Sequence, residues 1–578
     1  MEQKLDAELS LSLSLSEEER MKDPVLRAGY EPATRIWTLI LLYQGSLTEI
    51  QDNLSVSIIP LLGSFAIIRI PAEEIPTLLL YPQVLYLELP RPLYEDEITG
   101  ISASCMAGAP FFPDSLTGQG TAVAVLDSGV DYRHPDFRTD SGSTRILTYW
   151  DQGLAYDGEN RYGFGHIFSE NALNALFDAP ASSLRPSADS SGHGTHIAGI
   201  CAGNGRGSGG RNRGAAPKAS LLVVKLKNEA DSVFTDYANL MMAVDYVVRF
   251  AADRALPLAI NISYGSNDGP HDGSGLMERY LENCIFYGKN VVVIATGNEG
   301  ISRRHSQLSV ASGEEKTAAF SVAPGETSLY VQLWKHFGDR MSYRLSLPSG
   351  LREISIPGRP GIYRFEMGDS LIRLIISEPT PYQTLQEMFL AILPAEGKTV
   401  IDPGIWQFRI RSEQSVHGQI NLWLPSREAT NASTGFLDAS PDGSLTVPST
   451  ARNVISVGGY DSMTDTFASF SGRGFAGTRN AKPDLAAPAV NILSAAPGGG
   501  YSIRSGTSMA APFVTGASAL LMEYGIIQGQ DPFLYGEKIK ACLHRGAREM
   551  NGFTDYPNSQ VGYGRLCVRD SIPAEKSI

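Results

Sequence analysis

The run Gly506-Thr507-Ser508-Met509-Ala510-Ala511-Pro512 places one serine two residues after a glycine and just ahead of a mostly apolar stretch, 513–522, long enough for a buried helix. At such a position the hydroxyl stands near the positive end of the helix dipole, and the backbone N–H has no intrahelical partner. Those properties suit a nucleophile that attacks a carbonyl and holds the resulting oxyanion. Taken alone, the same residues also describe a helix cap by Thr507 or Ser508. The choice depends on whether the chain supplies a base, an orienting carboxylate and a second oxyanion donor.

Three further motifs carry those residue types. Asp127 lies in Val125-Leu126-Asp127-Ser128-Gly129-Val130, where a carboxylate can orient an imidazole. His193 lies in Ser191-Gly192-His193-Gly194-Thr195-His196, whose glycines let other backbone approach closely. Asn298 lies in Ala295-Thr296-Gly297-Asn298-Glu299-Gly300, and its side-chain amide can donate to an oxyanion.

The elements that must position these residues follow from apolar patterning. Runs at 121–126, 220–226, 258–263, 290–295 and 454–457 are too continuous for one-sided strands and read as central strands of a parallel sheet. Helical segments at 193–202, 234–252, 276–287 and after Ser508 alternate with them. This predicts a doubly wound α/β layer whose ligands sit at the carboxyl ends of the strands. Asp127 and Asn298 fall at such ends. In 234–252, Leu240, Met241, Val244, Val247, Val248 and Ala251 recur at helical spacing and read as core.

The α/β pattern has different neighbours on each side. Residues 35–89 read βαββαβ, the ferredoxin-like order, and an acidic stretch, 91–100, follows with no core of its own, as a linker would. Between 300 and 445, short strand-like segments at 328–334, 341–347, 351–356, 362–367, 371–377, 405–411 and 419–424 predict an inserted all-β sandwich or jelly roll. The expected units are 1–97, then 98–303 and 446–578 as two parts of one α/β domain, with 304–445 inserted between them.

Composition narrows the function classes. A chain of 578 residues predicts two to four domains, and 43% hydrophobic with 19% charged residues is ordinary globular composition. The net charge of -14 argues against nucleic acid as a partner. Five scattered cysteines, odd in number and without C-x-x-C pairs, predict neither a disulfide framework nor a zinc site, and point to a reducing compartment. No apolar run approaches the ~18 residues of a membrane span. Residues 1–20 are acidic and alternate Leu with Ser, so no Sec signal peptide is expected there.

The four motifs, in the order Asp127, His193, Asn298, Ser508, strongly resemble those of the subtilisin-like serine proteases, the subtilases of peptidase family S8, over 118–303 and 453–572. The resemblance implies that Ser508 attacks the scissile carbonyl, His193 takes its proton and Asp127 orients His193. It also implies that the Asn298 side chain and the Ser508 N–H hold the oxyanion. Ser263-Tyr264-Gly265 match the edge segment that pairs an extended protein substrate. The N-terminal unit resembles a subtilase propeptide, which implies a tail bound in the enzyme's own cleft and cut between Leu93 and Ser104.

No cofactor or metal is expected. Many subtilases bind calcium through the loop corresponding to 203–214, and this loop carries no carboxylate. His134 and His196 read as structural histidines. The segment Arg145-Ile146-Leu147-Thr148-Tyr149-Trp150-Asp151-Gln152, the long path from Asp127 to His193 and the insertion resemble the clostridial Csp subtilases of spore germination. Those proteases activate the zymogen of a cortex-degrading hydrolase, which implies a cytoplasmic or spore-associated enzyme. Some Csp members have lost triad residues, so a catalytically silent sensor or scaffold is the alternative. Here all three triad positions are occupied.

Overall fold

The computed structural model describes residues 4–573, apart from 24, 96–115, 229–234, 351 and 476–480. Its centre is a nine-stranded sheet with strands from Thr466–Phe467 through Ile455–Asp461, Asn290–Ala295, Leu258–Ile262, Ala122–Asp127, Ser220–Lys225 and Ile146–Asp151 to His166–Ser169, and with Leu485–Pro488 beside Ile455–Asp461. The inner pairs are parallel; the two outermost, at Thr466–Phe467 and His166–Ser169, are antiparallel. Helices His193–Ala202 and Thr507–Met522 pack on one face, Tyr237–Ala252 and Leu276–Ile285 on the other. Both faces of the central strands are therefore covered, which is why they read as unbroken apolar runs.

The N-terminal sheet is antiparallel, in the order Ser57–Pro60, Phe65–Pro71, Ile36–Tyr43, Val84–Glu88. The second helix of the expected βαββαβ order is short, a 3-10 turn at Ala72–Glu74 followed by Ile75–Leu78, with Pro76 in its first turn. The Leu/Ser alternation before this sheet forms the helix Ala7–Ser14, capped by Asp6, which accepts from the Leu9 N–H at 2.7 Å. Leu5, Leu9 and Leu13 pack into the N-terminal core, while Ala7, Leu11 and Leu15 pack on Tyr330, Leu371 and Phe389 of the insertion. Residues two apart on a helix point roughly 200° apart, so a period of two makes two opposed apolar stripes. This helix is a bridge between units that the sequence pattern did not predict.

The insertion forms two antiparallel sheets of six and five strands around one core. Seven of its strands lie where short apolar segments were expected. His305–Ser309, Glu315–Val322, Leu385–Pro394 and Gly435–Phe436 are additional. The stretch read as a linker after residue 91 begins as the strand Pro92–Glu95, inside a three-stranded sheet with Thr235–Asp236 and Tyr264–Gly265. Its backbone bonds, not an apolar pattern, make it a strand.

Candidate active site

Asp127 ends a central strand and His193 begins a helix beside it. His193 Nδ1 and Asp127 Oδ1 are 2.8 Å apart, and both side chains are fully buried. That approach needs glycine at 194, where a Cβ would sit 2.1 Å from the Gly129 carbonyl oxygen and 3.0 Å from Asp127 Cβ. Asp189, which the sequence reading passed over, fixes the start of the same helix. One carboxylate oxygen accepts from Gly192 N–H at 3.0 Å and Ser128 Oγ at 2.8 Å; the other accepts from Thr195 N–H at 2.9 Å and Thr195 Oγ1 at 2.6 Å. Asp189 reaches these donors from three residues ahead of the N-cap, Gly192, outside the position where a capping residue is looked for.

Ser508 is the second residue of the helix Thr507–Met522 and is fully buried. Its Oγ lies 3.5 Å from the Ser263 carbonyl oxygen. Pro512, inside the helix, has no N–H to give to the Ser508 carbonyl four residues earlier. Ser263 Oγ donates to that carbonyl instead, at 3.4 Å, and itself accepts from Asn261 Nδ2 at 2.9 Å.

Asn298 Oδ1 accepts from the Thr507 N–H at 3.0 Å. This fixes which way the amide faces, and Asn298 Nδ2 is left buried with no hydrogen-bond partner among the described residues. The donor is aimed from the start of the Ser508 helix, as an oxyanion site requires. Thr446, just after the insertion, was not singled out by sequence. A Cβ at Gly265 would meet its Oγ1 at 2.2 Å and one at Gly297 would meet its Cγ2 at 2.5 Å, so Thr446 packs between the two segments that carry Tyr264 and Asn298.

Tyr264–Gly265 pairs with Pro92–Glu95 in antiparallel register, Tyr264 opposite Glu95 and Gly265 opposite Tyr94. On its other side the same strand pairs with Thr235–Asp236. The chain leaving the N-terminal unit is thus held between two edges as the middle strand. The Tyr264 ring stands edge-on to His193, 6.4 Å between centroids.

The other histidines are structural. His134 Nδ1 accepts from Asp136 N–H at 3.1 Å and its Nε2 donates to the Gly500 carbonyl at 2.9 Å. His196 Nε2 lies 3.0 Å from the Ile492 carbonyl oxygen, and burial pushes its pKa down to about 4. In the loop 203–214, Asn204 Nδ2 bonds the Arg138 carbonyl, and among the described residues no group of three His, Cys, Asp or Glu is placed to hold a metal. Cys201, Cys284, Cys542 and Cys567 are free; Cys105 lies outside the described residues. The one described helix apolar enough to cross a membrane, Thr507–Ile527, is 89% buried in the core.

The chain matches the family model described as "Subtilase family" over residues 118–336 and 424–564, more than half its length. Residues 3–91 match the "Csp protease B prodomain". The solved CspB protease of Clostridium perfringens is similar at 34% identity and a TM-score of 0.72, over 79% of this chain and 93% of that one. The minor extracellular protease Vpr of Bacillus subtilis is 23% identical over 88% of this chain and 60% of its own length. The PIII-type proteinase of Lactococcus lactis subsp. cremoris is 25% identical over 78% of this chain and 24% of its own. The chain therefore spans well under two thirds of these two relatives. With the Asp127, His193, Asn298 and Ser508 motifs inside the matched segments and the prodomain match ahead of them, the chain belongs to the subtilase family and carries a Csp-type prodomain.

Proposed function

We propose that the protein is a serine endopeptidase made as a zymogen, in which the N-terminal unit is a ferredoxin-like prodomain and the insertion a jelly roll. The strand order of the N-terminal sheet and the two facing antiparallel sheets of the insertion support those two assignments. In the reaction His193 removes the Ser508 proton, Ser508 Oγ attacks the scissile carbonyl, and Asp127 holds the imidazole and stabilises its charged form. Asn298 Nδ2 and the Ser508 N–H take up the charge on the carbonyl oxygen, and a side-chain donor of this kind is worth about 3 kcal/mol of barrier. His193 gives its proton to the leaving amine as the C–N bond breaks, and a water deprotonated by His193 then releases the acyl group. By resemblance to the Csp proteases, the substrate is a protein, a cortex-hydrolase zymogen, met in the cytoplasm or the spore.

The observation that carries this reading is the pairing of 92–95 on Tyr264–Gly265. Main-chain pairing on a cleft edge is how a protease takes an extended substrate, independent of its sequence. The next residue in that register, Asp96, lies outside the described residues, as do all the later residues of the span expected to contain the cut. Ser263, the residue before Tyr264, has its carbonyl beside Ser508 Oγ. We infer from the register of 94–95 that the cut falls at the bond 96–97.

Intact mass and N-terminal sequencing of the purified protein beside Ser508→Ala test this. Cleavage is expected to leave a mature chain beginning at Glu97, with Ser508→Ala uncut. Two uncut chains would favour the silent scaffold, and a start beyond Ser104 would refute the register.

A further inference from the structure

Where the N-terminal unit, the insertion and the α/β unit meet, the structure encloses a cavity of about 310 Å³. Asp6, Tyr86, Glu88 and Arg91 line it from the N-terminal unit, Trp334 and Glu387 from the insertion. Glu88 is 4% exposed, and its Oε1 has no hydrogen-bond partner among the described residues; Arg91 Nη1 stays 3.9 Å away. Arg91 bonds Glu8 instead, at 3.1 Å. Gln332 Nε2 donates to Glu8 Oε1 at 2.8 Å and also to Glu387 Oε1. Four carboxyl groups, those of Asp6, Glu8, Glu88 and Glu387, thus surround one guanidinium.

A buried acceptor without a partner costs free energy unless something fills it. The excess of carboxyl groups disfavours an anion. Burial first, then neighbouring carboxylates, holds Asp6 and Glu387 well above the usual carboxylate range, and burial also raises Glu88 despite Arg91. Groups held in this way keep their protons unless a cation stands beside them, so a cationic guest is the one that gains from their ionisation. Among the described residues no three carboxylates converge as a metal site would need, so that cation is an organic one. Beside polar residues such as Ser274 and Gln383, the wall carries Trp334, Ile375 and Tyr382, and aromatic walls favour cations.

We infer that this cavity binds a small organic cation, a primary ammonium on an apolar body, with Glu88 Oε1 accepting from the ammonium and Trp334 and Tyr382 lining the apolar part. Such a ligand touches residues of all three units, so its binding strengthens the docking of the N-terminal unit. The inference holds whether or not Ser508 is active.

The test is isothermal titration calorimetry on the full-length chain carrying Ser508→Ala, with benzylamine as probe and benzyl alcohol as its neutral control. Benzylamine is expected to bind at one site, and benzyl alcohol at least about tenfold more weakly, the difference expected of a charge-assisted bond. Glu88→Gln should weaken benzylamine at least about tenfold. Ile362→Trp, at the 44% exposed rim, should block it by filling the mouth. No heat from benzylamine at millimolar concentration, equal affinity for the two probes, or unchanged affinity in either variant overturns the inference. If Glu88→Gln does not fold, the alcohol control and Ile362→Trp decide it, because Ile362 is a surface position.

Discussion

Ser263 Oγ donates to the carbonyl oxygen of Ser508 across 3.4 Å, doing for that carbonyl what the missing N–H of Pro512 cannot. The bond ties the substrate-pairing edge to the first turn of the nucleophile's helix. Asn261 extends the tie, donating to Ser263 Oγ at 2.9 Å and lying 3.0 Å from Thr515 Oγ1 on the same helix. Ser508 is therefore positioned from outside its own helix, by the residue that joins the central strand Leu258–Ile262 to the edge Tyr264–Gly265.

Ser263→Ala leaves the Ser508 carbonyl buried without a donor, at a cost of about 1–3 kcal/mol. Autoprocessing, followed by gel as a single turnover, is expected to slow by about tenfold or more while the circular dichroism spectrum is unchanged. A slower rate with intact pairing of 92–95 separates positioning from loss of fold. Processing at the parent rate would show that the bond does not position Ser508.

Asn298→Ala removes the donor on the opposite side of Ser508. Nδ2 has no hydrogen-bond partner among the described residues. The substitution also removes Oδ1, which accepts from the Thr507 N–H and Oγ1, so the melting temperature is measured beside the rate to separate loss of the donor from loosening of the helix start. Autoprocessing is expected to fall by about 10²–10³-fold. A fall below about fivefold would mean that the oxyanion is held elsewhere.

Asp189 acts through His193 and is a positioning residue. Asp189→Ala frees four donors at the helix start: Gly192 N–H, Thr195 N–H, Thr195 Oγ1 and Ser128 Oγ. The lost cap is worth about 1–2 kcal/mol of stability. A merely structural role would lower the melting temperature and leave the rate of folded protein intact. Positioning predicts a slower autoprocessing rate that Asp189→Asn partly restores, because the amide oxygen still accepts from the helix.

The candidate site residues stand out in the sequence because Asp127 and Asn298 follow apolar strands, His193 and Ser508 begin helices, and each has a glycine within two residues. What escaped had two burial environments at once. In Leu385–Pro394, Met388, Leu390 and Ile392 face the insertion's own core while Phe389, Ala391 and Leu393 face the N-terminal helix. No alternation survives, so the strand gives no period-two signal. The helix Ala7–Ser14 is the other half of that contact and misleads in the opposite sense, showing a period of two while being helical. Pro92–Glu95 escaped because its bonds are backbone to backbone, which no side-chain pattern records.

Glu278 makes stability depend on pH. It is fully buried, accepts from the Gly275 N–H at 3.0 Å and bonds Thr450 Oγ1, and burial above all pushes its pKa up to about 8. An unfolded chain ionises this group near its ordinary value, about 4.3. Because the folded value is raised, the stabilising contribution is complete below about 4.3, declines as pH rises toward about 8, and is then level. Glu278→Gln keeps an acceptor for the Gly275 N–H and places an amide beside Thr450 Oγ1, whose hydroxyl can accept instead of donate, but it cannot ionise. In the Ser508→Ala background, its melting temperature relative to the parent should therefore climb by at least about 2 °C between about pH 5 and about pH 8.5. A difference that stays constant across that range would mean that Glu278 is already ionised in the folded protein, held by a charge partner its surroundings do not show.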